Sequence, residues 1–408
     1  MLNQRLKTLD PILIFSMIGL LAIGLVALYS SSQSLVQSGS ATNYFWSQIR
    51  WILIGFGALL AIAFLPNRLL YELSYILYGI ALFFLVLVLI WGTEGYGAVR
   101  WLRFGGFGFQ PSEFAKIATL LAVARYLSEE RLDINRLKTF LAAAAFLLAP
   151  FLLIAKQPDL GTALVFIVMS LPVLFWAGLR WENLVLILAP GLTLFASFNH
   201  ITFSLVMVLI LVYLFYVKPP MLLRVAYFIL NVAIGLLTPF LWNQLKDYQK
   251  QRITTFWNPE ADPLGSGYQI IQSKVAIGSG GFLGKGFMEG SQTQLRFLPE
   301  QHTDFIFAVI GEEFGFLGIL VALILFTVFL VRIVQMANTY RSRFSSVFAI
   351  GAGSIIGFHM FINAGMTIGL FPVTGLPLPF VSYGGSALLT NMSIVGILLN
   401  FYRHRFEY

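Results

Sequence analysis

The chain has no cysteine, only four histidines, scattered at His200, His302, His359 and His404, and 11% charged residues. Without thiols there are no disulfide staples and no thiolate metal sites, and four isolated histidines do not make a His-rich zinc site. About a quarter of the residues of an average soluble domain are charged. A chain with less than half that share, a mean hydropathy of +0.82 and 39 phenylalanines is not a soluble domain. Also lacking are a low-complexity linker, an evident internal repeat and any module that interleaves basic with aromatic residues, so no nucleic-acid partner is expected. What the chain has in their place is hydrophobic length.

Crossing about 30 Å of hydrocarbon takes roughly 17–25 apolar residues. Twelve stretches qualify, at 11–32, 48–65, 71–91, 112–127, 139–155, 160–179, 182–198, 200–217, 223–243, 304–333, 345–369 and 383–402. The expected fold is therefore an all-α polytopic integral membrane protein, a bundle of about 10–12 transmembrane helices forming one domain over 1–408. The stretch 112–127 carries Glu113 and Lys116 and is counted partly because the alternation of sides requires it. The first stretch follows Arg5 and Lys7 without a small-residue cleavage site and reads as an uncleaved anchor. A cytoplasmic N-terminus places Arg5, Lys7, Arg68, Arg125, Arg131, Arg136, Lys138, Arg180, Lys218, Arg224, Arg332, Arg341, Arg343, Arg403 and Arg405 on the inner side, with both termini cytoplasmic. The net charge of +8 is mostly this bias and favours contact with anionic membrane lipids. Four polar segments then share the outer face: 93–111, the turn near Lys156, the loop 246–303 and 370–382.

The loop 246–303 is the one long polar stretch, dense in Gly, charge and turn residues, and loops of that kind carry chemistry on a rigid scaffold. Asp262 lies there in NPEADPLGSG, where Asp-Pro followed by Gly is equally a turn signal. After it, GYQIIQSKVAIGSGG fits an amphipathic helix at the outer leaflet, bearing Lys274. The following GSGGFLGKG, with Lys274 just before it, offers backbone donors and two lysines for an anion, without Walker spacing. Pro111 in FQPSEFAK suits a first helical turn, and Glu113 and Lys116 stand three apart on one face, either as an internal ion pair or as a charged wall of an outer cavity. Glu312 and Glu313 point about 100° apart, so one is expected to pair and the other to face a cavity. One carboxylate, Asp262, and the cations Arg100, Arg103, Lys116, Lys156 and Lys274 suit a lipid-linked phosphate or pyrophosphate entering from the bilayer. Two classes remain on this reading, a transferase at the outer face and a lipid transporter.

The ordered runs RWLRFGGFGFQPSEFAKIA, KQPDLGTAL, DPLGSGYQIIQSKVAIGSGGFLGKG, LRFLPEQHTDFIFAVIGEEFG and GLPLPFVSYGGSALL resemble the signature blocks of the shape, elongation, division and sporulation family. Within it, IIQSKVAIGSGG, GSQTQLRFLPE and QPDLGT are more similar to the elongation branch than to the division branch. The resemblance implies a peptidoglycan glycosyltransferase in the bacterial cytoplasmic (inner) membrane. Such an enzyme polymerises lipid II beside a class B penicillin-binding protein and other elongation-complex proteins. Asp262 matches the family's essential acidic position and takes the implied role of general base. Arg103, Lys116 and Lys274 become candidates for stabilising the pyrophosphate. Gln110, Glu113, Lys156, Asp159, His302, Asp304, Ser382 and Tyr383 fall in the blocks and are expected to shape the cavity, with helix capping an equal alternative for Asp159. A divalent cation, Mg or Mn, bridging the pyrophosphate has no dedicated cage in the sequence. A lipid II flippase is the alternative function. There are two departures. The family usually carries ten spans, so 182–217 reads as an extra pair that leaves the 246–303 loop outside, and GGFGFQ precedes the Pro-Ser-Glu run where some relatives hold a basic residue, a place Arg103 takes instead.

Overall fold

The structure is a computed structural model and describes residues 9–37, 43–95, 98–104, 107–129, 132–245, 247–258 and 267–406. The apolar stretches fold as helices α1 (Pro11–Gln37), α2 (Tyr44–Ala63), α3 (Asn67–Trp91), α4 (Pro111–Ser128), α5 (Leu137–Lys156), α6 (Leu160–Trp176), α7 (Trp181–Ala196), α8 (His200–Val217) and α9 (Met221–Gln244). The stretch between α9 and the next long helix holds three short helices, α10 (Asp247–Trp257), α11 (Tyr268–Gly280) and α12 (Ser291–Gln294). The bundle closes with α13 (Ile306–Thr339), α14 (Arg343–Thr367) and α15 (Gly385–Arg403). Among the described residues, nine of these helices are long and apolar enough to cross a bilayer, while α6 and α7 are shorter apolar helices. The helix α4 is the polar member expected from the sequence.

Its placement explains its composition. The helix α4 packs against α3, α5, α14 and α15, and Ala115, Ala118, Ala122 and Ala124 are fully buried. Small side chains let neighbouring backbones approach closely where no hydrophobic force separates helix from lipid. A helix enclosed by protein does not need apolar residues all round, and that is where Glu113 and Lys116 sit.

One element was not foreseen in an all-α chain: a small antiparallel sheet β1 (Thr93–Gly95), β2 (Ala98–Phe104), β3 (Phe107–Phe109) between α3 and α4. Its strands pair Leu102 with Phe109 and Arg103 with Gly108. A Cβ on Gly108 would stand 3.3 Å from Trp101 Cε3, so the glycine leaves room for the indole.

At one end of the bundle, cationic and amide side chains meet backbone carbonyls and one carboxylate. Arg125 donates to the Tyr71 and Glu72 carbonyls at 2.9 Å and lies over the Tyr71 and Tyr75 rings. Asn400 Nδ2 reaches the Leu65 carbonyl at 2.7 Å, Arg343 the Ala177 carbonyl at 2.6 Å, and Arg332 Nε the Asp10 carboxylate at 2.9 Å. Helices α7, α8 and α9 form a satellite with its own core of Leu186, Ala189, Met207, Ile210 and Leu214. The Thr193 hydroxyl ties it internally by donating to Asn231 Oδ1 at 2.8 Å.

Candidate functional site

At the opposite end, an extended segment at 371–384, between α14 and α15, acts as a hub for the predicted residues. The Ser382 hydroxyl donates to the Thr303 carbonyl at 2.6 Å and accepts from Leu378 N–H at 2.8 Å. Tyr383 N–H donates to the His302 carbonyl at 2.9 Å. Asn363 Nδ2, on α14, bridges the carbonyls of Asp304 (3.0 Å) and Leu376 (2.9 Å). A Cβ on Gly375 would lie 3.7 Å from Asp304 Oδ2, which places that carboxylate beside the hub. His302, Asp304, Ser382 and Tyr383, taken from two blocks roughly eighty residues apart, are thus held together by backbone and side-chain bonds.

The α4 pair joins from below. Lys116 Nζ lies 2.8 Å from Glu113 Oε1 and 3.3 Å from His359 Nε2, and Glu113 and Lys116 are 5% and 1% exposed. His359 Nδ1 is 3.2 Å from the Pro377 carbonyl. A carbonyl only accepts, so Nδ1 carries the proton and Nε2 accepts from the ammonium. A buried chain therefore runs Glu113, Lys116, His359, Pro377. Lys116 is accordingly committed inside the protein rather than open at a mouth, while Glu113 Oε2 has no partner among the described residues.

Asp159 caps α6, accepting from Thr162 N–H at 3.3 Å and the Thr162 hydroxyl at 3.0 Å. It also pairs with Arg100 at 3.5 Å, which engages that cation. The next turn reaches the hub directly, because a Cβ on Gly161 would fall 2.6 Å from the Thr374 carbonyl. Lys274 is exposed on α11, with Cε against Gly369, and the neighbouring Ser273 hydroxyl donates to the Thr367 carbonyl at 2.8 Å. Lys156 is exposed at the end of α5, and Gln110 precedes α4 with its carbonyl accepting from Glu113 N–H at 3.1 Å. Asp262 and the Arg103 side chain lie outside the described residues.

Three participants escaped the sequence reading. Tyr44 at the start of α2 stacks on His302 with ring centroids 3.9 Å apart and meets Tyr383 edge-on at 4.9 Å. His359 and Asn363 are buried on α14, one turn apart and on one face. A helical polar pair at that spacing in an otherwise apolar stretch was the available signal for the last two; Tyr44 carried none. Burial holds the His302 imidazole below its ordinary pKa near 6.5, against the opposing pull of the Glu300 carboxylate. The expected anion cradle in GSGGFLGKG is corrected: Lys285 N–H donates to the Glu312 carbonyl at 3.0 Å, Gly286 N–H to the Glu313 carbonyl at 3.1 Å, and Lys285 Nζ pairs with the Glu312 carboxylate at 2.9 Å. Those donors are spent within the protein. Among the described residues no cluster of three or more His, Asp or Glu is arranged to hold a metal ion.

A family model described as Cell cycle protein, covering FtsW, RodA and SpoVE, matches residues 11–205 and 199–407. The chain is 38% identical over 398 residues to the peptidoglycan glycosyltransferase MrdB of Escherichia coli K12, covering 97% of this chain and 94% of that protein. Its fold is similar to that of a chain solved under the description "Structural coordination of polymerization and crosslinking by a peptidoglycan synthase complex", with TM-score 0.74, 32% identity, and coverage of 98% and 99%. It is also similar to the rod shape determining protein RodA of Thermus thermophilus, with TM-score 0.65, 27% identity, and 98% of each chain covered. These matches run over the whole length of the helical bundle and its hub, and this multi-pass membrane protein belongs to the FtsW, RodA and SpoVE family of cell cycle proteins.

Proposed function

We propose that this chain is a peptidoglycan glycosyltransferase of the elongation branch, polymerising lipid II into β-1,4 glycan strands at the outer face of the bacterial cytoplasmic membrane. The observation that carries the reading is the convergence of blocks 159–162, 302–304 and 374–383 on one end of the bundle, in a chain 38% identical to a peptidoglycan glycosyltransferase over nearly its whole length. The arginines at the other end support an inner-side assignment for that end and for both termini. In this reading, 246–303 is the extracytoplasmic catalytic loop of a single membrane domain, and the satellite helices within 182–217 are an added pair of segments.

The chemistry is a single displacement. Asp262 takes the proton from the 4-hydroxyl of the acceptor GlcNAc as that oxygen attacks the anomeric carbon of the donor MurNAc. The bond from that carbon to the undecaprenyl pyrophosphate oxygen breaks, and the configuration inverts from α to β. General-base assistance of this kind contributes about 10²–10⁴-fold. The leaving pyrophosphate gains charge as it departs, so cations placed beside it lower the barrier. The exposed Lys274 and Lys156 are free to approach a lipid-borne anion, and Arg103 keeps the role the family resemblance implies. Lys116 supports the cavity wall instead, holding Glu113 and His359 in place. Crosslinking falls to a class B penicillin-binding transpeptidase bound to this chain.

The test is strand formation from purified lipid II by the chain with its class B partner, wild type against Asp262→Ala. The wild-type complex should yield strands, and the variant should lose at least about 10²-fold in rate while remaining folded and inserted. Strands at the wild-type rate from Asp262→Ala would remove the base assignment. No strands from an intact wild-type complex would remove the polymerase reading.

A further inference from the structure

The helix α13 is broken at Gly315, whose φ of 63° and ψ of −158° belong to a backbone region that only glycine occupies at low cost. A break in a membrane helix frees backbone groups that hydrocarbon cannot satisfy. Here the loop segment 281–286 satisfies them from both sides. Lys285 and Gly286 N–H groups donate to the Glu312 and Glu313 carbonyls, at 3.0 and 3.1 Å, before the break. The N–H groups of Phe316 and Leu317 after it donate to the Gly281 and Phe282 carbonyls, at 2.9 and 3.2 Å. The approach is close enough that a Cβ on Gly284 would lie 2.1 Å from the Glu313 carbonyl, and one on Gly280 would lie 2.0 Å from the Gly311 carbonyl.

The Glu312 side chain fastens the next stretch of the loop. It is 0% exposed and accepts from Lys285 Nζ at 2.9 Å, Gln292 N–H at 2.8 Å, Thr293 N–H at 3.0 Å and the Thr293 hydroxyl at 2.8 Å. Carboxylate bonds to charged and backbone donors are the strong class of hydrogen bond. Glu313 turns the other way, to Ser30 on α1, whose hydroxyl also accepts from Gln294 Nε2 at 2.9 Å. One pair of adjacent acids thus grips the loop on two faces. Upstream of this grip stands α11 with Lys274, entered six residues after Asp262 in the sequence; downstream stand His302 and Asp304.

We infer that Glu312 is a positioning residue for glycan polymerisation: its buried carboxylate clasps residues 285–293 to the kinked start of α13 and so sets the external loop against the outer hub. This rests on the glycosyltransferase reading above. Glu312 is spent on the loop and does not touch substrate, so its loss should displace the reacting groups without removing a binding contact. A misplacement of about 1 Å costs on the order of 10²-fold in rate. The Glu312→Gln complex with the class B partner should therefore show kcat lowered about 10–100-fold, while KM for lipid II stays within about twofold of wild type. Without substrate, hydrogen exchange at the amides of Lys285, Gly286, Gln292 and Thr293 should speed up, while α14 and α15 stay protected. Adding Lys285→Gln to Glu312→Gln should cost little more, because both act in one clasp. Should Glu312→Gln fail to fold, Thr293→Val removes a single donor and should show a several-fold loss of kcat at constant KM. An unchanged kcat, a raised KM with kcat intact, or lost activity with loop protection unaltered would overturn the assignment. If the wild-type complex makes no strands, the polymerase reading fails, and the exchange arm still decides whether the clasp exists.

Discussion

Removing one partner from the Glu113–Lys116 pair tests how the interior of α4 is held together. Lys116 is 1% exposed and has two partners, Glu113 Oε1 at 2.8 Å and His359 Nε2 at 3.3 Å. Glu113→Gln takes away the only carboxylate paired with Lys116 among the described residues, leaving an ammonium beside a neutral imidazole. Breaking a buried ion pair in this way costs about 3–5 kcal/mol, because the surviving charge cannot return to water. At about 2 °C per kcal/mol for a chain of more than 150 residues, the thermal midpoint of the detergent-purified protein should fall by roughly 6–10 °C. Lys116→Met strands the Glu113 carboxylate in the same way and should lower the midpoint by a similar amount. The double variant Glu113→Gln with Lys116→Met removes both charges at similar volume, and it should recover most of the loss, so the coupling should be at least about 3 kcal/mol. Thermal midpoints of all four proteins, read by intrinsic fluorescence of the tryptophans, close the cycle. A Glu113→Gln midpoint within about 1 °C of wild type, or a double variant that loses the sum of the two singles, would refute the buried pairing.

The other expectations follow from single contacts. His302 has a folded-state pKa below its ordinary value near 6.5, with Glu300, Tyr44 and Tyr383 around it, so the folded state disfavours the proton. Its contribution to stability is then complete above pH ~6.5 and is lost as the pH falls through the lowered folded value. Thermal midpoints taken from pH 7.5 down to 5 should drop more steeply for wild type than for His302→Phe, which keeps the stack on Tyr44; parallel curves would exclude the effect. Gly161→Ala sets a methyl 2.6 Å from the Thr374 carbonyl, and overpacking a backbone contact should destabilise by about 1–3 kcal/mol, read as a lowered midpoint. Thr193→Val removes the bond to Asn231 inside the satellite. A loss of about 0.6 kcal/mol is expected for such a bond in a membrane bundle, and faster hydrogen exchange in α7 and α9 with no change in α4 would locate it.

Much of the helical architecture was legible in the chain because a membrane span is a local property. The runs at 71–91 and 345–369 declare themselves by length, and the helices Asn67–Trp91 and Arg343–Thr367 follow them closely. The amphipathic GYQIIQSKVAIGSGG became α11 for the same reason. The sheet at 93–109 was hidden because a Gly-rich stretch reads as loop until Trp101 is seen packing over Gly108. In the candidate site, the blocks supplied residues that the structure brings together, without their wiring. His302 and Ser382 looked like separate cavity residues, whereas each contributes as much through its backbone as through its side chain. His359 and Asn363 went unremarked because a lone histidine and a lone asparagine in an apolar run are ambiguous without their partners.

The sequence by itself determined the class of protein, the order of its main apolar helices, and the family. Each depends on hydrophobic length or on runs of adjacent residues, which are written along the chain. Only the tertiary structure decided which charges are free and which are spent. Lys116 meets His359 across 243 residues, Arg100 is taken by Asp159, and the GSGGFLGKG donors close the break at Gly315 rather than an anion. An ionisable group in low dielectric is governed by whatever lies within a few ångströms of it, and that neighbour is set by packing.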